Sequence, residues 1–486
     1  MQAIIYDIII AFLTINTLLA VITVFRQKRE VAAIWAWLMV LLMLPGFGFI
    51  LYFFLGRKIS DEEIFKLSEQ EALGMTSLVN KYVDEDGELT TLDAYDKRTK
   101  RTIHMLYRSN MSVLTQHNTA DIYIDGNDKI AQLLKDIKAA QHHIHMQYYI
   151  FTSDHVGQKI LDALLERARA GVKVRFLYDP LGSRKLDKKY LRALQEAGAE
   201  VNSFFGRTYF FINMRLNFRN HRKLVIIDGR IGYIGGFNIA KEYVNEGPLG
   251  HWRDTHLRLE GEVVQALQTR FVQDWCATFD MTYHDWIAGG ALEEHYFPNI
   301  EKDNDLPIQI VSSGPEDDID QVKIGYIRLI NMAKECVYIQ TPYFIPDESV
   351  LDALKIAILS GVEVHLMIPC KPDHPFVYRA TEYYARTILE MGAHIHRYDH
   401  GFLHSKVVIV DQQLASVGTA NFDIRSFSLN FEVNAFIYEP KLIKQLIEFY
   451  HEDMTKSTDL DLAYFKSQSR WRKFKQNFSR LLSPIL

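Results

Sequence analysis

Two short patterns in this chain carry residue types that can transfer a phosphoryl group. One is His221-x-Lys223, followed by Asp228 and then Gly235-Gly236-x-Asn238. The other is His404-x-Lys406, followed by Asp411 and then Gly418-Thr419-x-Asn421, with identical internal spacing. Exchanging a phosphodiester without a metal needs a nucleophile, a proton donor for the leaving oxygen, and positive charge. A neutral imidazole can attack phosphorus and a protonated one can give up the proton, because histidine titrates near neutrality. Lys223 and Lys406 can neutralise nonbridging oxygens, and Asn238 and Asn421 can add amide donors. A solitary histidine such as His143 or His365 is expected to be structural or at the surface. Recurrence of the whole pattern sets His221 and His404 apart.

The elements around the motifs also recur. The β-type run Ile144–Phe151 is followed by a helical stretch at 160–165, and Ala170-Gly171 then leads into an alternating strand to Leu177. A second helix passes Tyr190 and stops at Gly198. The other copy runs through Val337–Phe344, a helix at 350–355, Ser360-Gly361 and a strand to Met367, then a helix that stops at Gly392. Strand–helix alternation of this kind predicts an α/β fold with a mostly parallel sheet flanked by helices. Two such units predict a pseudo-twofold pair with its chemistry at the interface. Leu224–Ile227 and Val407–Val410 are continuous apolar runs, so they read as buried strands. Positions two apart on a strand point the same way, so His221 and Lys223 are expected to share a face, as are His404 and Lys406. An attacking imidazole needs its second nitrogen held. Asp254 and Glu432, each about thirty residues after a motif histidine, are the candidates, and the spacing leaves open which serves which.

At 486 residues the chain is long enough for several domains, and its net charge of −5 gives no sign of a nucleic-acid partner. Cys276, Cys336 and Cys370 are far apart, so neither a disulfide framework nor a zinc site is expected. No His/Cys/carboxylate cluster at metal-ligand spacing accompanies the motifs. Residues 4–25 and 31–55 are apolar runs, each long enough to cross the ~30 Å hydrocarbon core as a helix. A signal peptide fits poorly, since there is no basic leader, no small-residue cleavage site, and a second apolar run follows. Pro45-Gly46 breaks the second run and favours a kinked or re-entrant helix. Basic residues balance across the hairpin, leaving its orientation open. Near the C-terminus, Trp471, Phe474, Phe478, Leu481 and Ile485 recur at helical spacing among Arg470, Arg472, Lys473, Lys475 and Arg480. Such a segment can lie on an anionic membrane, or it can be a helix packed on the catalytic domain.

The doubled pattern resembles the HxK-D-GxxN signature of the phospholipase D superfamily over most of residues 120–450. The resemblance implies a catalytic set of His221, Lys223, Asp228, His404, Lys406 and Asp411. It assigns the two aspartates a structural part away from the phosphate, places Asn238 and Asn421 at the phosphate, and makes Asp254 and Glu432 supports for the histidines. The layout is further similar to the bacterial cardiolipin synthases. The pieces that carry this likeness are Leu44-Pro-Gly-Phe-Gly48, His145–Phe151, Asn220–Lys223, Gly235–Ile239 and Leu481-Leu-Ser-Pro484. That likeness implies that two phosphatidylglycerols become cardiolipin and glycerol through a phosphatidyl-histidine. It implies no cofactor and a multi-pass place in the cell membrane. His221 is the expected nucleophile and His404 the acid and base, by analogy with the superfamily. The alternatives are a phospholipase D-type hydrolase and a membrane-tethered phosphodiesterase or nuclease. The expected division is a membrane hairpin (1–58), a helical linker or cap (59–118), repeat one (119–300), repeat two (301–455) and the basic amphipathic segment (456–486).

Overall fold

The computed structural model describes residues 2–25, 31–55, 76–84, 87, 89–90, 92–205, 217–279, 286, 293–298, 300, 302, 304–317 and 319–483. The loop 26–30 and the basic residues at 57, 58 and 66, used above to weigh orientation, lie outside them, as does Ile485. The chain divides into two compact units, 1–62 with 207–218, and 63–206 with 219–486.

In the smaller unit, helix α1 runs Gln2–Phe25, α2 Val31–Met43 and α3 Phe47–Leu55. The side chains of α1 are described from Tyr6 to Ile22, and over the described residues no helix is long and apolar enough to cross a membrane. The second apolar run is therefore two short helices rather than one long one. Pro45 has no N–H, so the Leu41 carbonyl four residues earlier lacks its helical donor. Asn16 of α1 supplies that donor through Nδ2 at 3.0 Å, and its Oδ1 accepts from Gly46 N at 3.2 Å. One buried amide thus satisfies both sides of the break.

The larger unit is built on a 16-stranded sheet. At its centre, Thr115–Tyr123 and Asp305–Ser313 pair antiparallel. Outward on one side come His256–Gly261, Ile231–Gly235, Leu224–Ile227, His143–Tyr148, Lys173–Tyr178 and Glu200–Ser203. On the other side come Asn430–Ile437, Leu414–Gly418, Val407–Val410, Cys336–Gln340, Glu363–Pro369 and His394–Tyr398, with Ser457–Leu460 beyond. The same order of elements therefore reads outward in both directions. The outer strands of each half are parallel to one another, apart from the antiparallel edge strand Ser457–Leu460; the inner ones are antiparallel. The expected mostly parallel sheet is thus corrected to a mixed one. The reason is that each motif opens a hairpin. Asp228 and Gly229 both take left-handed backbone (φ +54° and +64°), as do Asp411 and Gln412 (φ +49° and +55°), the pattern of a type I′ turn.

The helices between outer strands stop where the glycines require. Gly171 and Gly361 follow helices His155–Arg169 and Glu348–Leu359 at φ +89° and +88°. Asp154 and Asp347 cap the opposite ends. Residues of the expected cap region, Leu78, Tyr82, Ile103, Leu106 and Tyr107, are buried in the core of the second half.

Candidate active site

Each motif sits where the chain changes partners. Arg219–Asn220 pairs with the first residues of Asn430–Ile437, and His221 N donates to Phe431 O at 3.0 Å. Phe402–Leu403 pairs with Trp252–Arg253, and His404 N donates to Arg253 O at 2.7 Å. After its motif the chain rejoins its own half, at Leu224 and Val407. Residues 221–223 and 404–406 are therefore a crossing between strands, not part of one continuous strand.

This crossing determines which carboxylate meets which histidine. Glu432 holds His221 Nδ1, with Oε1 at 2.9 Å and Oε2 at 3.0 Å. Asp254 Oδ2 holds His404 Nδ1 at 2.6 Å. Each half orients the other half's histidine. With Nδ1–H donating to a carboxylate, Nε2 is the nitrogen left for the cavity. His221 and His404 line one cavity of about 390 Å³, together with Asn238, Asn421, Tyr149, Tyr243, Arg219 and Asp423.

Lys223 and Lys406 are buried behind the histidines and do not line that cavity. Lys223 Nζ donates to His221 O at 2.6 Å. Lys406 Nζ donates to His404 O and lies 2.8 Å from His404 Nδ1 and 3.9 Å from Asp254. Burial lowers the lysines to about 7 and about 8, respectively. Burial also lowers both imidazoles to about 4, and each is further opposed by its own half's lysine and, to a lesser extent, by the other half's. Burial alone would raise the two carboxyls. Lys406 and His404 outweigh it at Asp254, and His221 and Lys223 at Glu432, so both are held below the ordinary range. These surroundings favour the neutral form of both imidazoles. A negative charge placed between the two rings would favour the protonated form of either one.

Asn238 and Asn421 reach the cavity differently. Asn238 is engaged, accepting from Ile150 N at 3.1 Å and donating to the Tyr243 hydroxyl. Asn421 Oδ1 is buried with no partner among the described residues. Asp228 and Asp411 do not join the set. Asp228 accepts from the backbone N–H groups of Gln141, His142 and His143, at 2.8 to 2.9 Å. Asp411 does the same for Lys334, Glu335 and Cys336, at 2.7 to 3.0 Å. They tie the hairpin turns to the start of each half's central strand.

Residues outside the motifs complete the support. Arg222 Nε donates to the Glu432 carbonyl at 3.0 Å, and its Nη1 is clamped on Asp274, which Gln147 also holds. Arg253 Nη1 donates to the Asp254 carbonyl, and its Nε to Asp453, which Gln340 also holds. A chain of glutamine, aspartate and arginine thus fixes the backbone of each orienting carboxylate. The sequence signal was faint: Gln147 and Gln340 occupy matched places in the two copies, but the two arginines do not. Asp423, raised by burial to about 6, is a further titratable group of the cavity with no motif to reveal it. Among the described residues, no group of three or more His, Cys, Asp or Glu could hold a metal ion.

The chain is similar to known proteins over nearly its whole length. The family model described as cardiolipin synthase, PLD-like domain matches residues 133–275 and 326–454, and one described as phospholipase D-nuclease N-terminal matches 16–57. The major cardiolipin synthase ClsA of Bacillus subtilis is 46% identical over 479 residues, 98% of both chains. The cardiolipin synthase of Listeria innocua is 46% identical over 99% of both. That of Staphylococcus aureus is 45% identical over 99% of this chain and 97% of its own. Among solved structures, phosphatidylserine synthase of Haemophilus influenzae covers 80% of this chain and 100% of its own, with a TM-score of 0.60 at 15% identity, a likeness of fold. Two matched halves, an N-terminal match and identity near one half from end to end place this chain in the cardiolipin synthase family of phospholipase D-like proteins.

Proposed function

We propose that this protein joins two phosphatidylglycerols into cardiolipin and releases glycerol. The observation that carries the reading is the crossed pair, in which two imidazoles share a cavity and each is fixed through Nδ1 by the opposite half. One neutral Nε2 is then free to attack while the other nitrogen carries the proton. His221 Nε2 attacks the phosphorus of the first lipid. The bond from phosphorus to the glycerol headgroup breaks, and protonated His404 gives its proton to the leaving oxygen. The intermediate is a phosphatidyl-His221 phosphoramidate. The second lipid's headgroup hydroxyl attacks it, His404 takes that proton, and the bond to His221 breaks. Lys223 and Lys406 stabilise the added charge from behind the rings. Asn238 and Asn421 border the phosphate, and Asp228 and Asp411 hold the hairpins. Each step exchanges one phosphoryl ester or amidate for another, so the residues here need no cofactor.

The reading extends to the membrane. Residues 1–58 are taken as a membrane-embedded hairpin whose second leg is broken at Pro45. Its support is the exposure of Ile8, Phe12, Ile15 and Leu18 on α1, where water would leave a long apolar face uncovered. The partners are then phosphatidylglycerol, cardiolipin and an anionic cell membrane, with no nucleic acid. Residues 59–118 form a cap, 119–300 and 301–455 the two repeats, and 456–486 a basic amphipathic segment. The test is to supply phosphatidylglycerol labelled in its headgroup and separate the products. Cardiolipin and free glycerol should appear in about equal amounts. Predominant phosphatidic acid across detergents and vesicles would make the enzyme a hydrolase.

A further inference from the structure

The C-terminal helix Arg470–Leu481 packs with the wrong face inward for a helix that belongs to water. Toward helix Pro375–Leu389 it turns polar side chains. Arg472 pairs with Glu382, and Gln476 Nε2 donates to Glu382 at 3.2 Å. Gln476 and Ser479 are buried. On the outer face, Trp471, Phe474, Phe478 and Leu481 are 63%, 56%, 45% and 74% exposed. An amphipathic helix on a soluble protein buries its apolar stripe. This one presents the stripe outward and is anchored by its polar side.

The exposed rings are organised. Trp471 and Phe474 stack at 5.3 Å, and Phe478 lies 6.5 Å from Phe376 of the neighbouring helix, itself 53% exposed. Between the two helices they line an apolar groove of about 440 Å³ rimmed by Arg379 and Lys475. That volume lies in the range of small-molecule sites, roughly 300–1,000 Å³. Helix Arg470–Leu481 holds five basic residues and no acidic one. Helix Pro375–Leu389 carries its position on to the chemistry: Pro375 and Phe376 line the groove, while His374 and Val377 line the catalytic cavity.

We infer that the groove between these two helices receives an acyl chain of an anionic bilayer lipid and so seats the mouth of the catalytic cavity at the headgroups. Apolar walls match the chain, and the basic rim matches an anionic phosphate. The shared helix N-terminus sets the groove beside the site that the same class of lipid must enter. The inference rests on the lipid reading above, and it adds a second contact with the bilayer beyond residues 1–58.

The test uses the full chain reconstituted in bilayers of phosphatidylcholine with or without phosphatidylglycerol, carrying brominated acyl chains as quenchers. The emission of Trp471 is taken as the difference between wild type and Trp471→Phe. It should be quenched by the bromines and shifted to the blue, more strongly with phosphatidylglycerol present. The double variant Phe474→Ser/Phe478→Ser should lower kcat/KM on bilayer phosphatidylglycerol about tenfold and leave turnover of short-chain phosphatidylglycerol in detergent unchanged. Quenching needs no turnover, so it stands or fails separately from the assignment of the reaction. An unquenched Trp471 would overturn the inference. So would cross-linking of position 471 to a second copy of the chain, since the groove would then be a protein interface.

Discussion

The surroundings of His221 and of His404 are alike at the reacting groups and different one step out. Both imidazoles are held at Nδ1 by the opposite half, and both lysines donate to the carbonyl of their own histidine. The floors diverge. At the His221 end Arg219 lies opposite Asn430, whereas at the His404 end Phe402 lies opposite Trp252 with rings 4.8 Å apart. The carboxylates are accommodated differently too. A Cβ on Gly236 would meet Asp254 Oδ1 at 1.9 Å, so the short carboxylate requires glycine there. The matching Thr419 donates its hydroxyl to Glu432 Oε2 at 2.6 Å, so the longer carboxylate is steadied by a side chain. The groups proposed to act on one phosphorus are duplicated. Groups that only hold them, or that meet other parts of the ligand, have diverged. Two imidazoles in such unlike settings need not be interchangeable.

The largest effect expected is from the histidines themselves. His221→Ala or His404→Ala should each lower kcat at least about 10³-fold, and the double variant should fall little further, because the two act as one unit. Their difference should appear in trapping. Phosphatidylglycerol labelled in its phosphate should leave label on the protein, after denaturation at alkaline pH where a phosphoramidate survives, in His404→Ala and none in His221→Ala. Label retained in His221→Ala would reverse the assignment of the nucleophile.

The crossed carboxylates come next. Glu432→Gln should cost roughly 10²-fold or more, because a carboxylate that fixes an imidazole's tautomer belongs to the catalytic unit. It should abolish the label on His221 although it lies in the other half, and Asp254→Asn should spare the label while slowing turnover. The opposite pattern would break the pairing across halves.

The smallest effect is the pH dependence. The lysines, lowered by burial to about 7 and about 8, are charged below those values and lose that charge as pH rises through them. On soluble short-chain substrate, kcat/KM should therefore decline across pH 7 to 8, with the His221 half losing its lysine's charge first. On the acid side it should decline near pH 4, where both imidazoles take up protons and no nucleophile remains. A profile flat from pH 6 to 10 would show that neither lysine's charge contributes to the step.

Much was fixed by the sequence alone, because it depends on local pattern. The repeat, the helix stops at Gly171 and Gly361, the buried strands after each motif and the choice of His221 and His404 as candidates all follow from neighbours a few positions apart. The left-handed turns at Asp228 and Asp411 have a partial sequence signal in the Asp-Gly pair at 228–229, which marks a hairpin and hence antiparallel neighbours within the sheet. Tertiary structure alone decided what depends on which distant segments meet. Glu432 lies 211 residues from His221 and reaches it because the strand before each motif pairs across the halves. Arg222 and Arg253 converge on one task from unmatched positions, so the repeat conceals their equivalence. The periodicity of residues 470–481 predicts an amphipathic helix, but periodicity cannot say which face turns inward. Here Glu382 decides it, because a buried carboxylate needs the partners that only the polar face carries.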